Sequence, residues 1–221
     1  MKIGTFGLLG AAAFASAASA AFTGWSSEVV NLNNGRYILN VYAKFSDTGD
    51  RLLNCVNANI TTNSAGGFYQ SASNPFWAAG GTQNSMTSDD SWVTIDTNPN
   101  GNGNAFGGTS GDPNFVNFND SSGTTTYDFS YIESAGTGAG WFNGNPGNSY
   151  GFADGGKVLA AHFVVTGSDS VVNWNVTCIV KLSNGQTVTG QGTGPNTFAV
   201  PAPGAIALLG AAGLTSRRRR A

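Results

Sequence analysis

The run Val171-Val172-Asn173-Trp174-Asn175-Val176-Thr177-Cys178-Ile179-Val180-Lys181-Leu182 alternates apolar and polar residues, and Ser183-Asn184-Gly185-Gln186 follows it. Val172, Trp174, Val176, Cys178 and Val180 share one phase. A period of two is the mark of a β-strand with one face buried, because successive strand side chains point to opposite sides. Asn184-Gly185 is a hairpin turn signal, since both residues tolerate positive φ, and Gln186 to Thr193 supplies the second arm. The reading of this stretch sets the fold class for the whole chain: antiparallel β.

The same period recurs upstream. Glu28 to Asn33 reads as a short strand, Asn34-Gly35 as a type I′ turn, and Arg36 to Phe45 as a strand with Tyr37, Leu39, Val41, Ala43 and Phe45 on one face. Arg51 to Thr62 follows the turn Asp47-Thr48-Gly49-Asp50. Its phase puts Leu52, Val56, Ala58 and Ile60 on one side and Cys55 on the other. The segment 63–115 is a long Gly-, Asn- and Ser-rich insertion in which only Ser91 to Thr97 alternates cleanly; its aromatics predict an ordered, packed loop. Further strands are expected at Asn114 to Asn119, Thr124 to Glu133, Tyr150 to Ala153 and Lys157 to Thr166, and Gly192 to Pro203 reads as a linker. Short strands at regular spacing, with no stretch of period 3.6, predict an all-β antiparallel sandwich, with a jelly roll or a Greek-key barrel as alternatives.

The two ends of the chain read differently. Lys2, the apolar run Ile3 to Phe14 and Ala18-Ser19-Ala20 have the layout of a secretory signal peptide over residues 1–20, cleaved after the A-x-A pair Ala18 and Ala20. At the other end, Val200-Pro201-Ala202-Pro203-Gly204 leads into AIALLGAAGL and then Arg217, Arg218, Arg219 and Arg220. The apolar stretch is shorter than the roughly 20 residues a bilayer span needs, so transient membrane contact is expected, with the arginines as a stop-transfer flank. Short hydrophobic helical segments are expected at both termini. This tail resembles the PEP-CTERM signal of Gram-negative bacteria, in the variant common in planctomycetes, with Ala202 where the family pattern has Glu. The resemblance implies export through the Sec pathway, processing by an exosortase at residues 200–221, and display at the outer cell surface or release into the extracellular matrix. Locally, Gly156 to Val165 resembles a late strand of cohesin-like sandwiches, which implies a binding or adhesion module.

Without its two signals the chain keeps about 180 residues, enough for one domain with a substantial core, over roughly 21–199. Five basic residues (Arg36, Lys44, Arg51, Lys157, Lys181) then stand against 12 acidic ones, a net charge of −7. Such a domain repels phosphate backbones, which excludes nucleic acid as a partner and leaves extracellular polysaccharide or other surface proteins. An oxidising compartment permits a disulfide between Cys55 and Cys178, but strand phase sets one outward and one inward unless a bulge shifts the register, so the pairing stays open.

The chemistry-bearing residues are sparse. A Ser-His-Asp triad would need His162, the single histidine, which sits mid-strand with no Gly-x-Ser-x-Gly elbow in the chain. Acids such as Asp89, Asp90, Asp112 and Glu133 are present without a visible pairing of the kind a glycosidase needs. No catalytic residue is assigned and no cofactor is expected. Asp96, Asn98, Asn100 and Asn102 start like a calcium loop, but the twelfth position is Gly107 where a bidentate Glu belongs, so Ca²⁺ is only a weak expectation. Trp77, Trp92 and Trp141 lie in or beside the irregular loops and are the candidates for stacking on sugar rings, whereas Trp174 belongs to the core. The functional expectation is a structural or adhesive surface domain; a carbohydrate-binding module and a secreted hydrolase are the alternatives.

Overall fold

A computed structural model describes residues 22–69, 90–96, 109–111, 140–144 and 150–201. These residues form ten strands: β1 (Phe22–Asn31), β2 (Arg36–Phe45), β3 (Arg51–Thr62), β4 (Trp92–Asp96), β5 (Thr109–Gly111), β6 (Trp141–Asn143), β7 (Lys157–Thr166), β8 (Val171–Lys181), β9 (Thr187–Gln191) and β10 (Asn196–Ala199). All pairings are antiparallel, in two sheets. One sheet has the order β1-β2-β7-β4; the other runs β10-β8-β3-β6-β5 with β9 also on β8. No helix occurs among the described residues. The signal segment 1–20 and residues 202–221 lie outside the described residues, as do the expected strands at 114–119 and 124–133.

One hydrophobic core takes its side chains from both sheets: Leu39, Val41 and Ala43 of β2 and Phe163 of β7 on one side, Leu52 and Ile60 of β3 and Val172, Trp174 and Val176 of β8 on the other. Trp174 is its hub. Its ring meets Trp25 at 4.9 Å, Trp141 at 5.9 Å and Phe163 at 6.1 Å, with the two tryptophan pairs edge-on, an arrangement the ring quadrupoles favour. Strand β8 alternates as its sequence predicts, with Val172, Trp174, Val176, Cys178 and Val180 buried between more exposed neighbours.

Strand β3 departs from the predicted phase. Its inward residues are Leu52, Cys55, Ala58 and Ile60, while Val56 turns outward. The register to β8 shifts between Leu52 and Asn54 and again between Val56 and Asn59, where Asn57 takes φ 52°. Each bulge adds a residue and so moves the alternation by one. The first bulge brings Cys55 into the core, directly opposite Cys178, and the second returns Ala58 and Ile60 to the inward face. A bulge beside Val41 does the same in β7, where Ala160 joins the core and Leu159 moves to the outer face.

Three loop assignments change as well. The β1–β2 connection has its positive φ at Asn33 and Gly35, so it is a four-residue loop and not a two-residue type I′ turn. The Asn184-Gly185 hairpin does form: Gly185 N–H donates to Leu182 O, Leu182 N–H to Gln186 O, and Gly185 takes φ 88°. Tyr150 to Ala153 is not a strand, and holds only a bridge from Phe152 to Arg51. The expected linker 192–203 contains β10, which pairs with Val171 to Trp174. Val200, expected in the sorting motif, is buried in the core and its N–H donates to Ser170 O at 2.9 Å. The folded domain therefore runs through Val200, and Pro201 is exposed.

The insertion docks on β7 at two described points, while β5 pairs with β6 in the other sheet. Tyr69 N–H donates to Val164 O at 2.8 Å, and Ser91 Oγ both donates to Val164 O and accepts from Val164 N–H. Beyond Ser91, β4 continues the sheet along the same edge.

Candidate functional site

The predicted site residues scatter. Trp92 and Trp141 are buried, at 0% and 1% exposure, so neither offers a ring to a ligand. Trp141 Nε1–H donates to Thr94 O at 2.9 Å, which ties β6 to β4 across the core. The sequence placed Trp141 in a glycine-rich loop because only three residues alternate there; pairing with β3 and β5 makes it a strand. Trp77 lies outside the described residues. Of the calcium-loop residues, Asp96 ends β4, while Asn98, Asn100 and Asn102 lie outside the described residues. Ala18, Ala20, Ala202, Pro203, Gly204 and Arg217 to Arg220 also lie outside them.

His162 is 1% exposed on the outer face of the β2–β7 pair. Its Nδ1 lies 2.7 Å from Asn40 Oδ1; the amide oxygen can only accept, so Nδ1 carries the proton. Its ring stacks on Trp92 at 4.5 Å with 6° between the planes. Asn40 is its partner across the strands, so this histidine bridges β2, β7 and β4.

An open concavity among the described residues lies elsewhere, at the end of the second sheet. It is a groove of about 470 Å³ lined by Gly49, Arg51, Phe152, Lys181, Leu182 and Ser183. Two carboxylates build its rim by joining the β2–β3 turn to the β8–β9 turn. Asp47 accepts from Gly49 N–H at 2.7 Å and from Ser183 Oγ–H at 3.1 Å. Asp50 Oδ1 accepts from Ser183 N–H at 3.0 Å. The close approach needs glycine at position 49, where a Cβ would come within 2.8 Å of the Ser183 Cβ. Behind the turns, Arg51 is opposite Lys181 on β8 and bridges to Phe152 on its other side. The Arg51 guanidinium covers the Phe152 ring at 3.8 Å, a cation–π contact that orients both groups. Burial pulls the Arg51 pKa down. Sequence reasoning missed this site because a cross-strand pair of cations comes from register, and the bulges of β3 hide the register.

Asp50 is fully buried and its Oδ2 accepts no hydrogen bond among the described residues. Burial raises its pKa, the Ser183 N–H pulls it back down, and the neighbouring Asp47 charge raises it further. A carboxyl whose folded pKa is raised holds its stabilisation below the unfolded value, about 4, and loses it as pH rises through the folded value. Asp50→Asn, which keeps the Oδ1 acceptor and removes the charge, is expected to melt higher than the wild type at pH 8 and no higher at pH 3.5. Thermal scans at the two pH values check this; an equal shift at both would refute the charge argument.

No protein-family model matches the chain, and no curated protein or solved structure shows significant similarity to it.

Proposed function

We propose that this chain is an exported β-sandwich domain with a structural or adhesive role at the outer cell surface or in the extracellular matrix, of jelly-roll or cohesin-like type. In this reading residues 1–20 are removed after Sec export and an exosortase-type enzyme processes the PEP-CTERM-like tail. The observation that carries it is the extent of the fold. The described core takes its side chains from residues between Phe22 and Val200, between the two segments the sequence reads as addresses, with Val200 the first residue of the tail motif. Export would also bring the Cys55–Cys178 pair into an oxidising compartment.

A second reading, saccharide binding, is favoured by an open groove beside an exposed phenylalanine, at Phe152 in place of the buried Trp92 and Trp141. The hydrolase alternative has no comparable support, since His162 is enclosed between Asn40 and Trp92.

Fractionation with an internal epitope tag tests the address. The wild type is expected at the surface or in the medium, shortened at both ends. Replacing Arg217 to Arg220 with glutamine is expected to shift most of it out of the membrane-associated precursor pool. Full-length precursor in the cytoplasm would sink the proposal.

A further inference from the structure

The outer face of β3, β6 and β8 is uncharged along most of its length. On β3 it presents Asn54, Val56, Asn59 and Thr61; on β8, Asn173, Asn175, Thr177 and Ile179; on β6, Phe142. The charged residues of these strands are Arg51 and Lys181, and both stand at one end. Register sets the polar groups opposite one another. Asn59 is opposite Asn175, Thr61 is opposite Asn173, and Thr197 of β10 extends the Asn173 row. Opposed side chains have Cβ atoms about 5 Å apart, so the Asn59 and Asn175 amides reach the same ligand unit. Both are exposed. Asn173 spends its amide within the sheet, on Thr61 Oγ1 at 3.4 Å, whereas the amides of Asn54, Asn59 and Asn175 make no hydrogen bond among the described residues. Phe142 completes the face. Its ring is 38% exposed opposite Asn54, and it points away from the core because Trp141 and Asn143 on either side of it are buried. Along β3 the ring and the Asn59–Asn175 pair are about 15 Å apart, at about 3.3 Å per residue.

Charge narrows what such a face takes. The domain carries −7, so a polyanion is repelled, and the face itself offers a cation no carboxylate. A protein partner needs a cluster of aromatic and arginine anchors, and this face has a single exposed ring. A neutral sugar polymer fits the groups that are present. Each unspent amide offers a donor and an acceptor, the pair that a sugar hydroxyl needs. The exposed ring offers its π face to sugar C–H bonds. An open sheet face suits an extended chain, whereas an isolated small molecule calls for a concave site.

Resting on the adhesive reading above, we infer that this face binds a neutral, ribbon-shaped glucan of the cellulose type, with one sugar ring on Phe142 and the hydroxyls of a unit further along the chain on Asn59 and Asn175. In such a ribbon the hydroxyls lie at the ring edges and the C–H bonds on the ring faces, so one polymer meets both kinds of group. The binding face is separate from the groove beside Phe152.

The test is electrophoresis of the purified protein in native gels cast with hydroxyethylcellulose, with polygalacturonate as the anionic control. The wild type is expected to be retarded by hydroxyethylcellulose and not by polygalacturonate. Phe142→Ala is expected to weaken retardation about fivefold in apparent Kd, the size of one lost stacking contact. The Asn59→Ala/Asn175→Ala double variant is expected to weaken it about tenfold, through the lost hydrogen bonds. Both asparagines are exposed, so that variant keeps the fold even where Phe142→Ala loosens β6, and urea melts verify each. Free migration of the wild type through hydroxyethylcellulose, or equal retardation by polygalacturonate, overturns the inference. So does a folded Asn59→Ala/Asn175→Ala variant that is retarded like the wild type, and so does retardation lost in Phe152→Ala but kept in Phe142→Ala, which moves binding to the groove. Because purified protein is used, failure here leaves the cellular address standing, and failure of the fractionation test leaves this face standing.

Discussion

Gly140→Ala is expected to cost about 3 kcal/mol of stability or more, and to abolish folding if the wild type has only the usual narrow margin. Gly140 precedes β6, and a Cβ there would lie inside the van der Waals sphere of the Cys55 carbonyl oxygen, with the Cys55 carbonyl carbon and Val56 Cα also in contact. These are backbone atoms, so no rotamer change relieves the clash. Strand β3 cannot retreat, because β8 holds its other edge from Arg51 to Thr62. Strand β6 must lift instead, and with it Trp141, which then loses its bond to Thr94 O and its edge contact with Trp174. Removing a large ring from a packed core costs about 3–5 kcal/mol in itself. Urea denaturation measures the effect. A midpoint within experimental error of the wild type would show that β6 does not pack against β3 as described.

Oxidising the Cys55–Cys178 pair is expected to stabilise the domain by about 4 kcal/mol, the size expected for a cross-link that closes a loop of more than a hundred residues. The two residues are direct partners across β3 and β8, both fully buried. Cross-strand Cβ atoms lie about 4.5–5.5 Å apart and a disulfide wants about 3.5–4.5 Å, so the strands must close by about 1 Å. The bulges on either side of Cys55 give β3 the local freedom to do so. Formation transfers two electrons and two protons to the disulfide of an oxidant by thiol exchange, and leaves that oxidant as a dithiol. Timing matters, because burial, with the nearby Cys178 adding to it, pushes the Cys55 thiol far up, and burial pushes Cys178 to about 12. Folded thiols are thus protonated and unreactive at neutral pH, and the bond must form before the sheet closes.

The same shifts give the reduced protein a pH signature. Raised thiol pKa values stabilise the fold below the unfolded value, about 8.5, and that stabilisation is lost as pH climbs from there toward 12. Reduced protein is therefore expected to weaken steadily above pH 8.5, and oxidised protein is not. Two readouts check this: the intact mass of protein purified from the cell envelope, lighter by two hydrogens than after reduction, and urea melts with and without dithiothreitol. Identical melts from a sample whose mass shows the bond would refute the stabilisation. Reduced thiols after refolding in a glutathione buffer would refute the geometry, whatever the compartment.

Much of the fold was legible in the chain. Alternation alone located β2, β4, β7 and β8, and it placed Trp174 in the core. It failed where the strands bulge or are too short to alternate. Val56 and Cys55 exchanged faces because the two bulges in β3 leave no composition signal other than Asn57, a residue that tolerates positive φ. Strands β5 and β6 are three residues each; β6 exists because β3 offers it an edge, and β5 because β6 does. The candidate site was less legible. Exposed Phe142 and Phe152 look like any loop aromatics until register sets them beside Arg51, Lys181 and Asn54.

The sequence by itself determined that this domain is antiparallel β, because period-two alternation and turn residues are local properties of the chain, and it determined the acidic charge of the domain. Only the tertiary structure decided that Trp92 and Trp141 are buried, that Val200 belongs to the core, that the two cysteines meet, and that two cations and two phenylalanines share one sheet face. Each of these depends on which residue of one strand stands opposite which residue of another. Bulges set that correspondence one residue at a time, and a single shift turns a side chain from the core to the solvent.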